Sequence, residues 1–162
     1  MKIFDSSAII ALTSELNDPA PLIHLKNIGY RLTIPDGVYG EITRSETRNK
    51  VNKLISQHIF EIINIPINQE EMEEFKSEFP NLHKGEIEVL FIGKKFLDEN
   101  KDFCCIIDET PGRNSAEELN LPFHGILGIL NKLKEKDIID NDSHEKYLDD
   151  LEREGFWFKR NH

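Results

Sequence analysis

Five apolar residues in a row, Phe103-Cys104-Cys105-Ile106-Ile107, stop at Asp108. A strand covered on both faces has no polar side to show, so an unbroken run of this kind fits the centre of a parallel sheet. Other segments share the pattern. Lys2-Ile3-Phe4 ends at Asp5, Arg31-Leu32-Thr33-Ile34 at Pro35, and the run 59–65 at Pro66. Leu121-Pro122-Phe123 reads as a short edge strand. Between these lie helical patterns at 8–12, 17–27, 38–43, 46–58, 68–79, 86–97, 110–119 and 126–134, and an acidic amphipathic helix starts near Asn141. Strands that alternate with helices predict an α/β fold around a parallel sheet. No internal repeat or low-complexity linker interrupts it.

At 162 residues the chain has the length of one domain. No apolar stretch approaches the ~18–20 residues of a membrane span, and Asp5 breaks any leader-peptide core. These features predict a cytoplasmic protein with no membrane contact. Cys104 and Cys105 are neighbours that a strand points to opposite faces, so they read as small buried hydrophobes. The formal charge is −10, and the windows 68–79 and 135–154 carry all of that surplus. Such a chain is a poor passive coat for nucleic acid, which demands cationic phosphate contacts. An enzyme that meets phosphate through a divalent ion is not excluded.

In parallel sheets, ligands bind beyond the carboxyl ends of the strands. Asp5 and Asp108 both end apolar strands, so the fold predicts that they share one rim. Each also has a plainer reading as a helix N-cap. Two carboxylates at one rim repel unless a proton or cation lies between them, and hard divalent ions such as Mg²⁺ or Mn²⁺ suit oxygen donors. Glu41 follows the second strand. Glu86 and Glu88 open a buried helix, where acids also complement the helix dipole. Being two residues apart, they diverge by roughly 200° around the axis. Glu88 is the preferred direct ligand and Glu86 the helper or alternative. The six histidines show no metal-ligand spacing and read as structural or solvent-exposed. There is no GxGxxG, Walker A or GxSxG motif.

Taken in order, these segments resemble the PIN-domain nuclease family. The first motif is Ile3-Phe4-Asp5-Ser6-Ser7-Ala8-Ile9-Ile10, and the second is Val38-Tyr39-Gly40-Glu41-Ile42. Gly85-Glu86-Ile87-Glu88-Val89-Leu90 and Ile106-Ile107-Asp108-Glu109 are similar to the third and fourth. The segment 122–130 resembles the closing motif of a prokaryotic subgroup akin to VapC toxins. The resemblance implies a three-layer α/β/α domain over residues 1–136; it does not reach 137–162, which read from their own pattern as an acidic helix and aromatic tail packed on the same domain. It implies a Mg²⁺- or Mn²⁺-dependent endoribonuclease that leaves a 5′-phosphate, with Asp5, Glu41, Glu88 and Asp108 as catalytic metal ligands. It also implies a toxin of a toxin–antitoxin pair, held by an antitoxin protein and commonly a homodimer.

The sequence departs from that subgroup where Thr110-Pro111-Gly112 stands before Arg113, and where His124 replaces the usual threonine. Arg44, Arg48 and Arg113 are the expected RNA contacts, with Lys50 and Lys53 nearby. Phe156-Trp157-Phe158 reads either as a partner surface or as cover for the domain's own core. Two other readings compete: an inactive PIN-like interaction module, and a phosphotransfer or phosphatase domain. The latter is disfavoured because Asp5-Ser6-Ser7 lacks the second acid of an Asp-x-Asp motif.

Overall fold

The computed structural model describes residues 1–156. Its strands are β1 (Lys2–Phe4), β2 (Leu32–Pro35), β3 (Phe60–Ile63), β4 (Cys104–Ile106) and β5 (Phe123–His124). All pair in parallel, in the order β3-β2-β1-β4-β5. The helices are α1 (Ser6–Ile10), α2 (Ala20–Asn27), α3 (Asp36–Glu41), α4 (Ser45–Ser56), α5 (Gln69–Glu78), α6 (Lys84–Asp98), α7 (Thr110–Glu118), α8 (Ile126–Glu135) and α9 (Asn141–Arg153). A π-helical segment, Ala11–Glu15, continues α1. The architecture is the expected three-layer α/β/α sandwich with a central parallel sheet. Around it, α6 packs against α3, α5 and α7, while the π segment packs against α4 and α9, and α8 against α2 and α9.

Burial explains which runs became strands. Every residue of β1, β2 and β4 is buried, as continuous apolar runs require. The segment 59–65 shortens to β3, a sheet-edge strand in which only Phe60 is fully buried. Phe60 meets the ring of Phe4 edge-on at 5.2 Å, which ties that edge to the central strand. Each such aromatic, fully buried, contributes roughly 1.5–3 kcal/mol.

The acidic C-terminal helix α9 is capped by Asp140, whose side chain accepts from the Ser143 N–H at 2.8 Å. It lays Tyr147, Leu148 and Leu151 inward, and the Tyr147 hydroxyl donates to Asp18 at 3.0 Å. Phe156 is partly buried against the core, whereas Trp157 and Phe158 of the aromatic cluster lie outside the described residues. Among the described residues, no helix is long and apolar enough to cross a membrane.

Candidate metal centre

The strand order reverses direction between β1 and β4, the topological switch point at which doubly wound sheets bind ligands. Phe4 pairs with Ile106, and the Asp5 N–H donates to the Ile106 carbonyl at 3.0 Å. The chain therefore leaves β1 at Asp5 and β4 at Asp108 side by side.

Asp5 is 1% exposed. Its Oδ1 accepts from the Ala8 N–H at 2.7 Å, capping α1, and the Ser7 hydroxyl donates to both carboxyl oxygens at 3.1 and 3.0 Å. Burial lifts its pKa to about 7; those hydrogen bonds oppose the shift, and the charges of Glu86 and Asp108 add to it. Asp108 Oδ1 accepts from the Ile126 N–H at 3.1 Å, at the start of α8. Burial raises its pKa too, against that hydrogen bond and the nearby Arg113 guanidinium.

The third acidic position comes from α6. Glu86 Oε2 accepts from the His83 backbone N–H at 3.0 Å, tying the carboxyl to the start of its own helix. Its Oε1 is buried with no hydrogen-bond partner. An ideal Cβ placed on Gly112 would stand 2.6 Å from that oxygen, so only glycine leaves it room. Burial raises the Glu86 pKa, the His83 N–H opposes the rise, and Glu109 adds to it.

Glu41, at the end of α3, reaches the same helix start. Its Oε1 accepts from the Gly85 N–H at 2.7 Å and its Oε2 from the Ser6 hydroxyl at 3.3 Å. A Cβ on Gly85 would collide with this carboxyl. Asp5, Glu41, Glu86 and Asp108 thus each accept a backbone N–H at the cap or first turn of a helix. The positive ends of α1, α6 and α8 partly balance the carboxylates gathered there.

Glu88 lies elsewhere. Its Oε2 accepts from the Val38 N–H at 3.1 Å, at the N-terminus of α3, and the charges acting on it come from Asp36 and Lys84. Burial is the largest influence on its pKa, raising it. The divergence of Glu86 and Glu88 expected from helical geometry is present, with Glu86 rather than the preferred Glu88 on the side of Asp5. Glu86 is the acid whose charge acts on Asp5, and Glu88 fastens α6 to α3.

The arginines also divide. Arg48 donates to the carbonyls of Tyr39 and Ile42, the latter at 3.1 Å, and lies over the Tyr39 ring at 3.6 Å. The guanidinium expected to contact RNA thus braces the end of α3 that carries Glu41. Arg44, the N-cap of α4, is exposed. Lys50 pairs with Glu46 at 2.9 Å and donates to Asn17 at 2.9 Å. Arg113 lines a cleft of about 670 Å³ together with Ser6, Ser7, Asp108 and Glu109. The apolar side of that cleft includes Ile10, Leu127 and Phe156.

Reasoning from sequence missed three groups at this edge. Glu15, on the π segment, lines the cleft, and its Oε2 is buried without a hydrogen-bond partner. Burial raises its pKa, with Glu154 and Asp108 adding to the shift. His83 and Glu109 have donor atoms that lie, with one from Glu86, all within 4.8 Å of one another. A His-x-x-Glu spacing at the start of α6, one turn apart, was the available signal for His83.

The residues fit a divalent cation. Several carboxylates converge, burial and the charges of Glu86 and Asp108 raise the Asp5 pKa to about 7, and Glu86 Oε1 is buried without a hydrogen bond of normal geometry. A family model described as PIN domain matches residues 1–162. Comparison with curated proteins gives no match.

Proposed function

The chain belongs to the PIN-domain family, and we propose that it is a divalent-metal-dependent endoribonuclease whose centre is the switch-point edge of the sheet. The observation that carries this reading is the convergence of buried Asp5 with Glu86 and Asp108, whose charges both act on it. A Mg²⁺ or Mn²⁺ ion held there supplies Lewis acidity to a scissile phosphodiester and an acidified water. Asp5, Glu86 and Asp108 are the residues that would hold the ion. Glu41, fixed by the Gly85 N–H, completes the acidic edge.

The chain's other residues position the substrate. Arg113, beside Asp108 in the cleft, presents a planar fork suited to a phosphate. Exposed Arg44 meets the strand further along. The apolar wall around Ile10, Leu127 and Phe156 offers a surface for base or ribose. The choice of RNA, a role as the toxin of a toxin–antitoxin pair, an inhibitory protein partner and a homodimer all rest on the resemblance of residues 1–136, and of 122–130 in particular, to the VapC-like subgroup. A small open reading frame beside the gene, whose product blocks cleavage, is the expected sign of that role.

The test is product chemistry. The protein is incubated with a mixed pool of structured RNAs in Mg²⁺, Mn²⁺ or EDTA, and fragment ends are identified. Internal cuts with 5′-phosphate ends, absent in EDTA, are expected. Release of inorganic phosphate from intact RNA would instead establish a phosphatase. Intact RNA from folded, metal-loaded protein would favour an interaction module.

A further inference from the structure

At the outer side of the acidic edge, two helix starts face each other. His83 is the N-cap of α6 and Glu109 the N-cap of α7. Between them stands the Glu86 carboxyl. One donor atom from each residue lies within 4.8 Å of the other two. His83 and Glu109 are exposed, whereas Glu86 is 5% exposed. Glu86 cannot turn away, since its Oε2 is held by the His83 N–H at 3.0 Å. Its Oε1 is buried and makes no hydrogen bond of normal geometry, although the Gly112 backbone N–H acts on the carboxyl. A buried carboxylate beside an imidazole and a second carboxylate is a set of donors that one ion can draw together.

We propose that His83, Glu86 and Glu109 form a mixed nitrogen–oxygen site for a borderline divalent ion, such as Mn²⁺ or Zn²⁺, which shares Glu86 with the oxygen-only ligands around Asp5. Ligand bonds in such sites are ~2.0–2.2 Å. His83 and Glu109 are exposed, so their side chains can close on one ion while the His83 N–H holds Glu86. One imidazole shifts preference away from Mg²⁺, which favours oxygen donors and resists losing its waters. Three protein ligands leave positions open to solvent, water or a phosphate oxygen. Glu86 serves both this site and the edge with Asp5, so an ion here is placed to stand next to the first. The inference shares Glu86 with the nuclease reading and otherwise stands on its own geometry.

Mn²⁺ is the probe. Wild type, His83→Ala and Glu109→Gln are titrated with Mn²⁺, and pulsed electron paramagnetic resonance reads nitrogen coupling to the bound ion. Wild type should show a ¹⁴N coupling that His83→Ala abolishes. Both variants should bind Mn²⁺ at least ~10-fold more weakly. Mg²⁺ binding by His83→Ala should stay within about twofold of wild type. Zn²⁺ should displace the coupled Mn²⁺, following the usual affinity order. Both substituted residues are exposed, so circular dichroism should be unchanged and a folding defect is separable. Absence of ¹⁴N coupling in wild type, or its survival in His83→Ala, overturns the site. RNA cleavage read on the same samples separates the two readings. An active chain without nitrogen coupling overturns this site alone, and a coupled chain without cleavage supports it while counting against the nuclease.

Discussion

A carboxyl as fully removed from water as that of Asp5 keeps its proton until about pH 7. In the unfolded chain the same group ionises near ~3.9. Between those values the folded state binds more protons than the unfolded one, so the stability of the ion-free protein falls as pH rises through that window. Glu86, Asp108, Glu15 and Glu88 are shifted in the same direction, so their contributions add. Melting curves in EDTA should therefore move to lower temperature from pH 5 to 7.5. Asp5→Asn should flatten part of that slope, and Mn²⁺ should restore wild type at the upper end. A wild-type slope that Asp5→Asn leaves untouched would contradict the burial argument.

Gly85 gives a second test at the same scale. An added methyl collides with the Glu41 carboxyl, the free end of a flexible side chain, which yields before the backbone does. Gly85→Ala should lower cleavage ~10–100-fold while shifting the melting temperature by no more than about 3 °C. Collapse of the fold would show that Gly85 serves packing instead.

Among elements, the short helix α3 shows how a site is held from outside. Glu88 accepts a backbone N–H at its start, and Arg48 donates to carbonyls at its end. Glu41 sits on its last turn. The basic residues after Glu41 therefore have different surroundings despite their spacing. Arg44→Ala and Arg113→Ala should each weaken RNA binding and lessen the salt slope by about 1. Arg48→Ala should leave that slope unchanged and destabilise the protein by ~1.5–3 kcal/mol, the usual worth of hydrogen bonds from a charged group. Equal salt slopes in all three variants would refute the division.

At the level of the whole molecule, the shared rim of Asp5 and Asp108 was legible because all parallel strands end on one edge, whatever their order. The order itself was not, since local periodicity does not say which strands are neighbours. Helical geometry foretold that Glu86 and Glu88 part company. It did not say which one faces Asp5, because that depends on the rotation of α6 as Ile87, Val89, Leu90 and Phe91 are buried. His83 and Glu109 were out of reach for a related reason. Their meeting requires α6 and α7 to start beside each other, a contact between segments more than twenty residues apart. The Arg48 brace was hidden because a cation on a polar helix reads as solvated until a carbonyl is seen beneath it.

The central claim is that catalysis belongs to the switch-point edge and passes through Glu86, not Glu88. Single-turnover RNA cleavage by wild type, Asp5→Asn, Glu86→Gln and Glu88→Gln in saturating Mn²⁺ tests it most directly. Asp5→Asn and Glu86→Gln should lose at least ~100-fold, the scale of several kcal/mol of transition-state stabilisation. Glu88→Gln should stay within ~10-fold of wild type and melt a few degrees lower, as a weakened contact to α3 implies. A folded Glu88→Gln as inactive as Asp5→Asn, beside an active Glu86→Gln, would contradict the account.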